Sequence, residues 1–598
     1  GQQQNPVAQL ASGYQDNFRS TVVAALEFEQ KLNFITEGLR FKALASFKNW
    51  SSTTNSASAG WNKYHLQDFS VDDNGVYSFV TRLQNESGGE VSTDLKPGVA
   101  NSGDRRFYFQ AIMDYNRTFG KHDVNAMFIY NQDELVTQLF SGDLIAALPK
   151  RKQGVAARLS YAYDGKYLAE VNMGYNGSEN FAKGHRWGFF PSIAVGYNIS
   201  EEAFFEPLKN VFSNMKIRAS WGLVGNDNIG GARFVYMPTI NLTGTGYTTG
   251  LDGDITYKGP VYSRYGNPEV TWEVGKKVNV GLDLQLFNSL NLTMDYFHET
   301  RTDIFQERGT IPQYLGTAGT KVFGNLAAMK NQGFDFAADF NKKIGKDWFI
   351  SFKGTFTYAH NEITKYDESP KYAFQSKVGQ SANIPSIMIS DGLFKDPDDV
   401  KNSNQQIGGN LSAGDIKYVN ISKLYGYDDD IVDISDWVWA KNPTVPEIVY
   451  GFGPSIRWKN LDFSFFFQGV AKVSLVMSDF HPFGDNSLRN VLTWIADDRW
   501  SPDNQNINAT YPRLTRDTSV NNTQRSDYWL RNAAFIKLKN AEIGYTYKNM
   551  RFYVSGMNLA TFSPFKHWDP EQGGGNGLKY PTQRVFNFGF QMTINNNR

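Results

Sequence analysis

The side chains that could do chemistry lie in long polar stretches, where Trp and Tyr stand among carboxylates and guanidinium groups. Tyr425, Tyr427, Trp437 and Trp439 fall in one such stretch, and Trp494, Asp497, Asp498, Arg499 and Trp500 in another. Aromatic faces beside planar polar groups grip a sugar ring, whereas a peptide is held by backbone hydrogen bonds and adaptable pockets, so these residues suit either ligand. The competing reading has the same tryptophans packing the loops against each other or against a partner. Three adjacent carboxylates, Asp428, Asp429 and Asp430, offer oxygen ligands to a hard cation such as Ca2+. Three in a row also describe an ordinary solvated loop.

Other chemistries find no support. The histidines, His65, His122, His185, His298, His360, His481 and His567, are scattered and form no HExxH-type ligand pair, so structural or loop roles fit them. No Gly-x-Ser-x-Gly elbow and no phosphate-cradling Gly-x-x-x-x-Gly-Lys appears. "GLVGNDNIGG" at 222–231 is glycine-rich, but it sits where a strand ends and a long loop opens, which makes it a turn. Without a nucleophile and base, no enzyme is expected. The chain has no cysteine, which removes disulfides and thiolate metal sites, and Lys plus Arg equals Asp plus Glu at 60 each, so no net field attracts nucleic acid.

The elements that must position these loops are strands. From Arg106 to Tyr130 the chain reads "RFYFQAIMDYNRTFGKHDVNAMFIY", with Phe107, Phe109, Ala111, Met113 and Tyr115 on one face and Tyr108, Gln110, Ile112, Asp114 and Asn116 on the other. After the turn "FGKHD", Val124, Ala126, Phe128 and Tyr130 resume the apolar face. Tyr167, Ala169, Val171, Met173 and Tyr175 repeat it, as do Leu290, Leu292, Met294 and Tyr296, and Leu461, Phe463, Phe465 and Phe467. Most of these segments are near the ~9–11 residues that a tilted strand needs to cross hydrocarbon. Aromatic residues make up 15% of the chain while mean hydropathy is negative, which fits a barrel with an apolar outside and a polar lumen. The Phe107, Phe109 and Phe128 face is therefore expected to touch lipid. In the alternative, a sandwich, that face would lie against a second sheet.

Short turns at "YDGKY" (163–167), "FNSL" (287–290) and "WKNLD" (458–462) imply antiparallel neighbours. Very long connections, near 225–272, 361–446 and 472–528, lie at the opposite strand ends, an asymmetry that outer-membrane barrels show. Strands number about eighteen, with boundaries the least certain part of such a reading. There is no apolar run of helix-spanning length, and the start, "GQQQNPVAQL", is not built like a signal peptide, so a mature chain or one cut at its front is expected.

Residues 267–305, "NPEVTWEVGKKVNVGLDLQLFNSLNLTMDYFHETRTDIF", resemble the barrel signature of the SusC/RagA family of TonB-dependent transporters. "KIRASWGLVGNDNIG", "GFFPSIAVGYNISEEAFF", "YWLRNAAFIKLKNAEIGYTY" and "RFYVSGMNLATFSPFKHWDPE" extend the resemblance over nearly the whole chain. It implies an all-β fold, a large antiparallel transmembrane β-barrel of the 22-stranded type with a plug in its lumen and long extracellular loops. Residues 1–598 would be the C-terminal part of that barrel, since nothing here resembles the family's plug, its N-terminal extension or its TonB-contact segment. A sheet cannot end in lipid with a bare edge, so further strands are expected from a missing front or a second chain. Relatives follow a Gly-Asp-Ile-Lys-Tyr stretch with an Asp-Asn-Asp-Gly-rich, calcium-like loop; this chain keeps "GDIKY" at 414–418 but continues "VNISKLYGYDDDIVD", without the alternating ligands.

The function that the resemblance implies is import of oligosaccharides or peptides across the outer membrane of Bacteroidetes. A SusD-like surface lipoprotein would serve as lid, and TonB would deliver energy through a region outside this chain. The alternative is a passive or signalling channel of the same architecture.

Overall fold

A computed structural model of the chain describes residues 6–85, 89–137, 145, 148–230, 232–312, 314, 320–427, 429–478, 491–515 and 519–594. The chain divides into two compact units, Gly1–Asn33, Arg40–Met113 and Ile129–Gly154 in one, and Phe34–Leu39, Asp114–Phe128 and Val155–Arg598 in the other. Seventeen strands of the described residues are of the long, antiparallel kind, against about eighteen expected. Among the described residues no helix is long and apolar enough to cross a membrane.

In the first unit, β1 (Gly13–Lys31) and β2 (Leu39–Ser58) pair from Gly13↔Ser58 to Lys31↔Arg40. Even-numbered residues of β1, among them Phe18, Val22, Leu26 and Phe28, form an exposed apolar face, continued on β2 by Phe47, Ala45 and Ala43. Further along that face β2 turns polar, with Asn49, Ser51, Thr53 and Asn55. A separate two-stranded hairpin follows, β3 (Tyr64–Val71) and β4 (Tyr77–Leu83). The chain continues through β5 (Lys96–Phe119), β6 (His122–Thr137) and β7 (Lys150–Tyr163).

The second unit contains β8 (Tyr167–Ser178), β9 (Trp187–Asn198) and β10 (Phe212–Asn226). After a hairpin that stands apart, β11 (Thr239–Thr249) and β12 (Ile255–Arg264), come β13 (Glu273–Leu286), β14 (Leu290–Glu307), β15 (Phe323–Ile344) and β16 (Trp348–Lys365). The last five are β17 (Ile448–Trp458), β18 (Leu461–Ala471), β19 (Phe535–Tyr547), β20 (Met550–Phe562) and β21 (Val585–Met592). Leaving out β11 and β12, each strand from β8 to β21 hydrogen-bonds antiparallel to the next.

Burial runs the opposite way from a water-soluble sheet. On β8 the apolar Tyr167, Ala169, Val171, Met173 and Tyr175 are the exposed residues, while Leu168, Glu170, Asn172 and Gly174 between them are half-buried. In a sandwich the apolar side would be covered by a second sheet. Here it is bare, and the polar side carries the hydrogen bonds, Arg158 Nε to Asn172 Oδ1 at 2.9 Å and Ser160 Oγ to Glu170 Oε2 at 2.9 Å. In residues 106–130, Phe107, Met113 and Phe128 are exposed, as a lipid-facing surface requires, and Phe109 is half-buried.

The expected tight turns are present. Asp164 and Gly165 both have positive φ, as do Phe287 and Asn288, which is the backbone twist a two-residue hairpin turn requires. Near these turns the exposed rings pair, Tyr167 with Tyr197 at 5.2 Å and 7°, and Trp348 with Trp458 at 5.7 Å and 25°. They form the kind of aromatic girdle that marks the edge of a bilayer.

Candidate functional site

On the inward face, guanidinium groups are held between carboxylates of neighbouring strands. Arg218 on β10 reaches Asp283 on β13 through Nε at 3.0 Å and Asp295 on β14 through Nη1 and Nη2 at 2.7 Å each. It can lie across β13 because residue 281 is glycine: a Cβ there would stand 2.5 Å from Arg218 Cζ. The same device recurs near another turn, where Arg551 on β20 spans Asp462 and Glu542 and residue 544 is glycine. A wall cavity of about 430 Å³ opens beside Arg218, Lys216, Glu170 and Ser160. A second, of about 260 Å³, lies where Glu299, Asn331 and Asn361 meet loop residues Asn383 and Glu447.

The described parts of the long connections are folded rather than irregular. Described residues of 366–447, 472–534 and 563–584 share one hydrophobic core with Met388, Ile416, Tyr418, Val432, Leu475, Trp500, Tyr511, Trp529 and Phe565 buried in it. Asp415, of the "GDIKY" stretch, is almost fully buried and is satisfied by Arg513 Nε and Nη2 at 2.7 and 3.0 Å and by Asn522 Nδ2 at 2.8 Å. Lys537 on β19 is buried between Asp569 at 2.7 Å and Glu571 at 2.5 Å, tying residues 563–584 to the wall. Burial pushes both carboxyls up, but the Lys537 ammonium outweighs it and holds them below the usual carboxylate range. Tyr511 is pushed up to about 12 by burial.

The aromatic residues singled out from the sequence divide between this core and the surface. Trp500 is buried in the core, Trp437 packs against it, and Trp439 Nε1 donates to the Ser376 carbonyl at 2.9 Å. Asp498 accepts from the Tyr511 backbone N–H through its carbonyl at 3.1 Å, Arg499 donates to the Ala496 carbonyl, and Asp497 is exposed. By contrast Tyr425, Tyr427 and Trp494 keep exposed rings.

Tyr425 stacks on Phe374 at 4.7 Å and Phe374 on Tyr372 at 5.4 Å, while Tyr427 lies against Tyr372 at 4.5 Å with the rings tilted by 33°, giving a row of four rings. Lys371 Nζ sits 4.9 Å over Tyr372. Trp494 stacks on His567 at 4.6 Å and 19°. Burial, then the Arg531 charge, lowers the pKa of His567, which stays neutral at neutral pH. The sequence reading missed Tyr372, Phe374 and His567; "YAF" at 372–374 offered an alternating aromatic pair as a signal, but its partners lie some fifty residues away in the chain, at Tyr425 and Tyr427.

Of the acidic run, Asp428 lies outside the described residues. Asp429 faces Lys371 at 3.8 Å and Asp430 faces Lys423 at 3.4 Å. Among the described residues no three His, Asp or Glu side chains gather closely enough to hold a metal ion.

The family model described as TonB dependent receptor-like, beta-barrel, matches residues 3–559. The chain belongs to that family. Its relatives include TonB-dependent receptor P3 of Formosa agariphila, 25% identical over 96% of this chain and 58% of that protein. TonB-dependent receptor SusC of Bacteroides thetaiotaomicron is 27% identical over 73% of this chain and 43% of SusC. The chain thus spans about half the length of the curated relatives it matches. A solved structure of the RagAB peptide transporter superposes with a TM-score of 0.70 at 19% identity, covering 98% of this chain and 63% of that one, and so shares its fold. As a TonB-dependent receptor barrel, the protein resides in the outer membrane, with its bare apolar face in lipid.

Proposed function

We propose that this chain forms wall and outer cap of an active transporter that imports oligosaccharides or peptides across the outer membrane, closed by a SusD-like lipoprotein and energised through TonB. The observation that carries this reading is the inverted wall, apolar outside and charged inside, topped by a packed cap that still exposes rings. Tyr425, Tyr427 and Trp494 present those rings and are the proposed ligand contacts. Trp437, Trp439, Asp498, Arg499 and Trp500 hold the cap that carries them. A hard cation at Asp428, Asp429 and Asp430 would have to displace Lys371 and Lys423, and terbium luminescence on the purified protein tests it.

Uptake of labelled oligosaccharides and peptides by cells carrying the intact protein, with and without functional TonB, tests the central claim. Uptake that needs TonB supports active import. Uptake indifferent to TonB would leave the passive or signalling channel, and a hydrolysis product from the purified protein would replace transport by catalysis.

A further inference from the structure

The cavity of about 260 Å³ lies between the inward wall and the cap, and none of Tyr425, Tyr427 and Trp494 lines it. Its wall side is a row fixed by strand register. Glu299 on β14 stands opposite Asn331 on β15, and Asn331 stands opposite Asn361 on β16. Neighbouring strands lie about 4.8 Å apart, so a carboxylate and two amides are evenly spaced across the sheet. Asn383, Val445 and Glu447 supply the loop side.

The charges around this cavity neutralise one another. Arg301 reaches Glu299 at 2.9 Å and Glu273 at 3.2 Å, Lys277 stands 3.8 Å from Glu299, and Glu447 is held by Lys472 at 3.3 Å and by His360 at 2.5 Å. The amides are not so engaged. Among the described residues the side chains of Asn331 and Asn383 make no hydrogen bond, while Asn361 uses only its Oδ1, which accepts from Ser381 Oγ at 3.2 Å and the Ala382 backbone N–H at 2.8 Å. A side-chain amide carries two donors and an acceptor in one plane, so the cavity presents neutral hydrogen-bonding groups of both kinds.

One step nearer the tight turns, Phe297 adds a ring. It faces inward opposite Gly333, and Gly333 stands opposite Ala359, which lines the cavity. The ring lies over the glycine, where a Cβ would meet Phe297 Cζ at 2.7 Å, and among the described residues it stacks on no other ring. An apolar ring face beside planar donors and acceptors suits a sugar residue, whose C–H face rests on the ring while its hydroxyls pair with the amides. A peptide needs an open strand edge for its backbone. Here β14, β15 and β16 are hydrogen-bonded on both sides and offer none. A charged ligand would find every charge in the lining already paired.

We propose that this cavity is a subsite for a neutral sugar residue of the transported ligand, seated on Phe297 and held by Asn331, Asn361 and Asn383. This rests on the import reading above and selects oligosaccharide over peptide within it. The test is calorimetry on the intact protein in a sugar-free detergent, with maltohexaose, laminarihexaose and mannohexaose as neutral probes, trigalacturonate as a charged one and hexa-alanine as a peptide. At least one neutral hexasaccharide should bind, and Asn331→Leu and Phe297→Leu should each weaken it roughly tenfold. Asn291→Ala, on the same face beside the tight turn, should change it by no more than about twofold. Unchanged heat-modifiable gel mobility shows that each variant is folded. Wild-type affinity in both Leu variants overturns the proposal, as does a preference for the peptide or the uronate, or no binding of any neutral sugar. Cells without TonB-dependent uptake, while the purified protein still binds sugar through Asn331, would overturn the import reading and support this site.

Discussion

Replacing Ile193 by Arg should destabilise the inserted protein, whereas the same replacement at its chain neighbour Ala194 should be tolerated. The outward side of β9 runs from Trp187 through Phe189, Ile193 and Val195 to Tyr197, with Trp187 stacked on Tyr175 and Tyr197 on Tyr167. That run is about 33 Å of strand, which at the usual barrel tilt fits the ~25 Å apolar band with aromatic rings at both margins. Ile193 sits near the middle, between Val171 and Trp221 of the neighbouring strands. A cation there costs about 2–4 kcal/mol. Ala194 points the other way, opposite Glu170, into the cavity of about 430 Å³, where a guanidinium finds room and a carboxylate. An exposed pair of that kind is worth only ~0–1 kcal/mol, so the net change should stay within about 1 kcal/mol. Urea titration of the intact protein folded into lipid vesicles, followed by heat-modifiable gel mobility, measures both. Equal losses at the two sites, or a larger loss at Ala194, would refute the assignment of faces.

Other consequences follow from the clusters. Gly281→Ala should force Arg218 off Asp283 and Asp295 and cost about 1–3 kcal/mol by overpacking, measurable in the same titration, because its Cβ would meet Arg218 Cζ at 2.5 Å. Lys537→Met should leave Asp569 and Glu571 without their buried cation and loosen the cap by roughly 3 kcal/mol or more, seen as faster hydrogen exchange over 563–584. Both carboxyls are held below their unfolded values, so this contribution is present above about pH 4–5 and is lost as pH falls through the depressed folded values. His567 is also depressed, and it binds its proton more readily once unfolded; cap stability should therefore hold above pH ~6.5 and weaken below it. Fluorescence of Trp494, stacked on that imidazole, should follow the change, and a Trp494 signal flat from pH 7.5 to 5.5 would contradict it.

Much of the wall is legible in the chain itself. Side chains alternate along any strand because the pleat is local, so "KYLAEVNMGY" already assigns Val171 and Asn172 to opposite faces, and "YDGKY" already closes its turn. The "NPEVTWEVGKK" stretch carried the family resemblance for the same reason: it is written in consecutive residues. Which face is bare is not local. Alternation alone suits Ile193 to a lipid face or to a sandwich core, and it is the neighbouring strands that leave it exposed.

The loops depended almost wholly on distant contacts. Trp500 and Trp494 are six residues apart and chemically identical, yet one is buried against Gly414 and Tyr511 and the other lies on His567 with its ring exposed. Tyr425 and Tyr427 acquire Phe374 and Tyr372 only when the 366–447 stretch folds back on itself. The sequence alone determined strand period, turn chemistry and family, since each is set by neighbours in the chain. Only the tertiary structure decided which rings face solvent and which carboxylates are neutralised, because burial and charge pairing depend on what approaches from elsewhere in the chain.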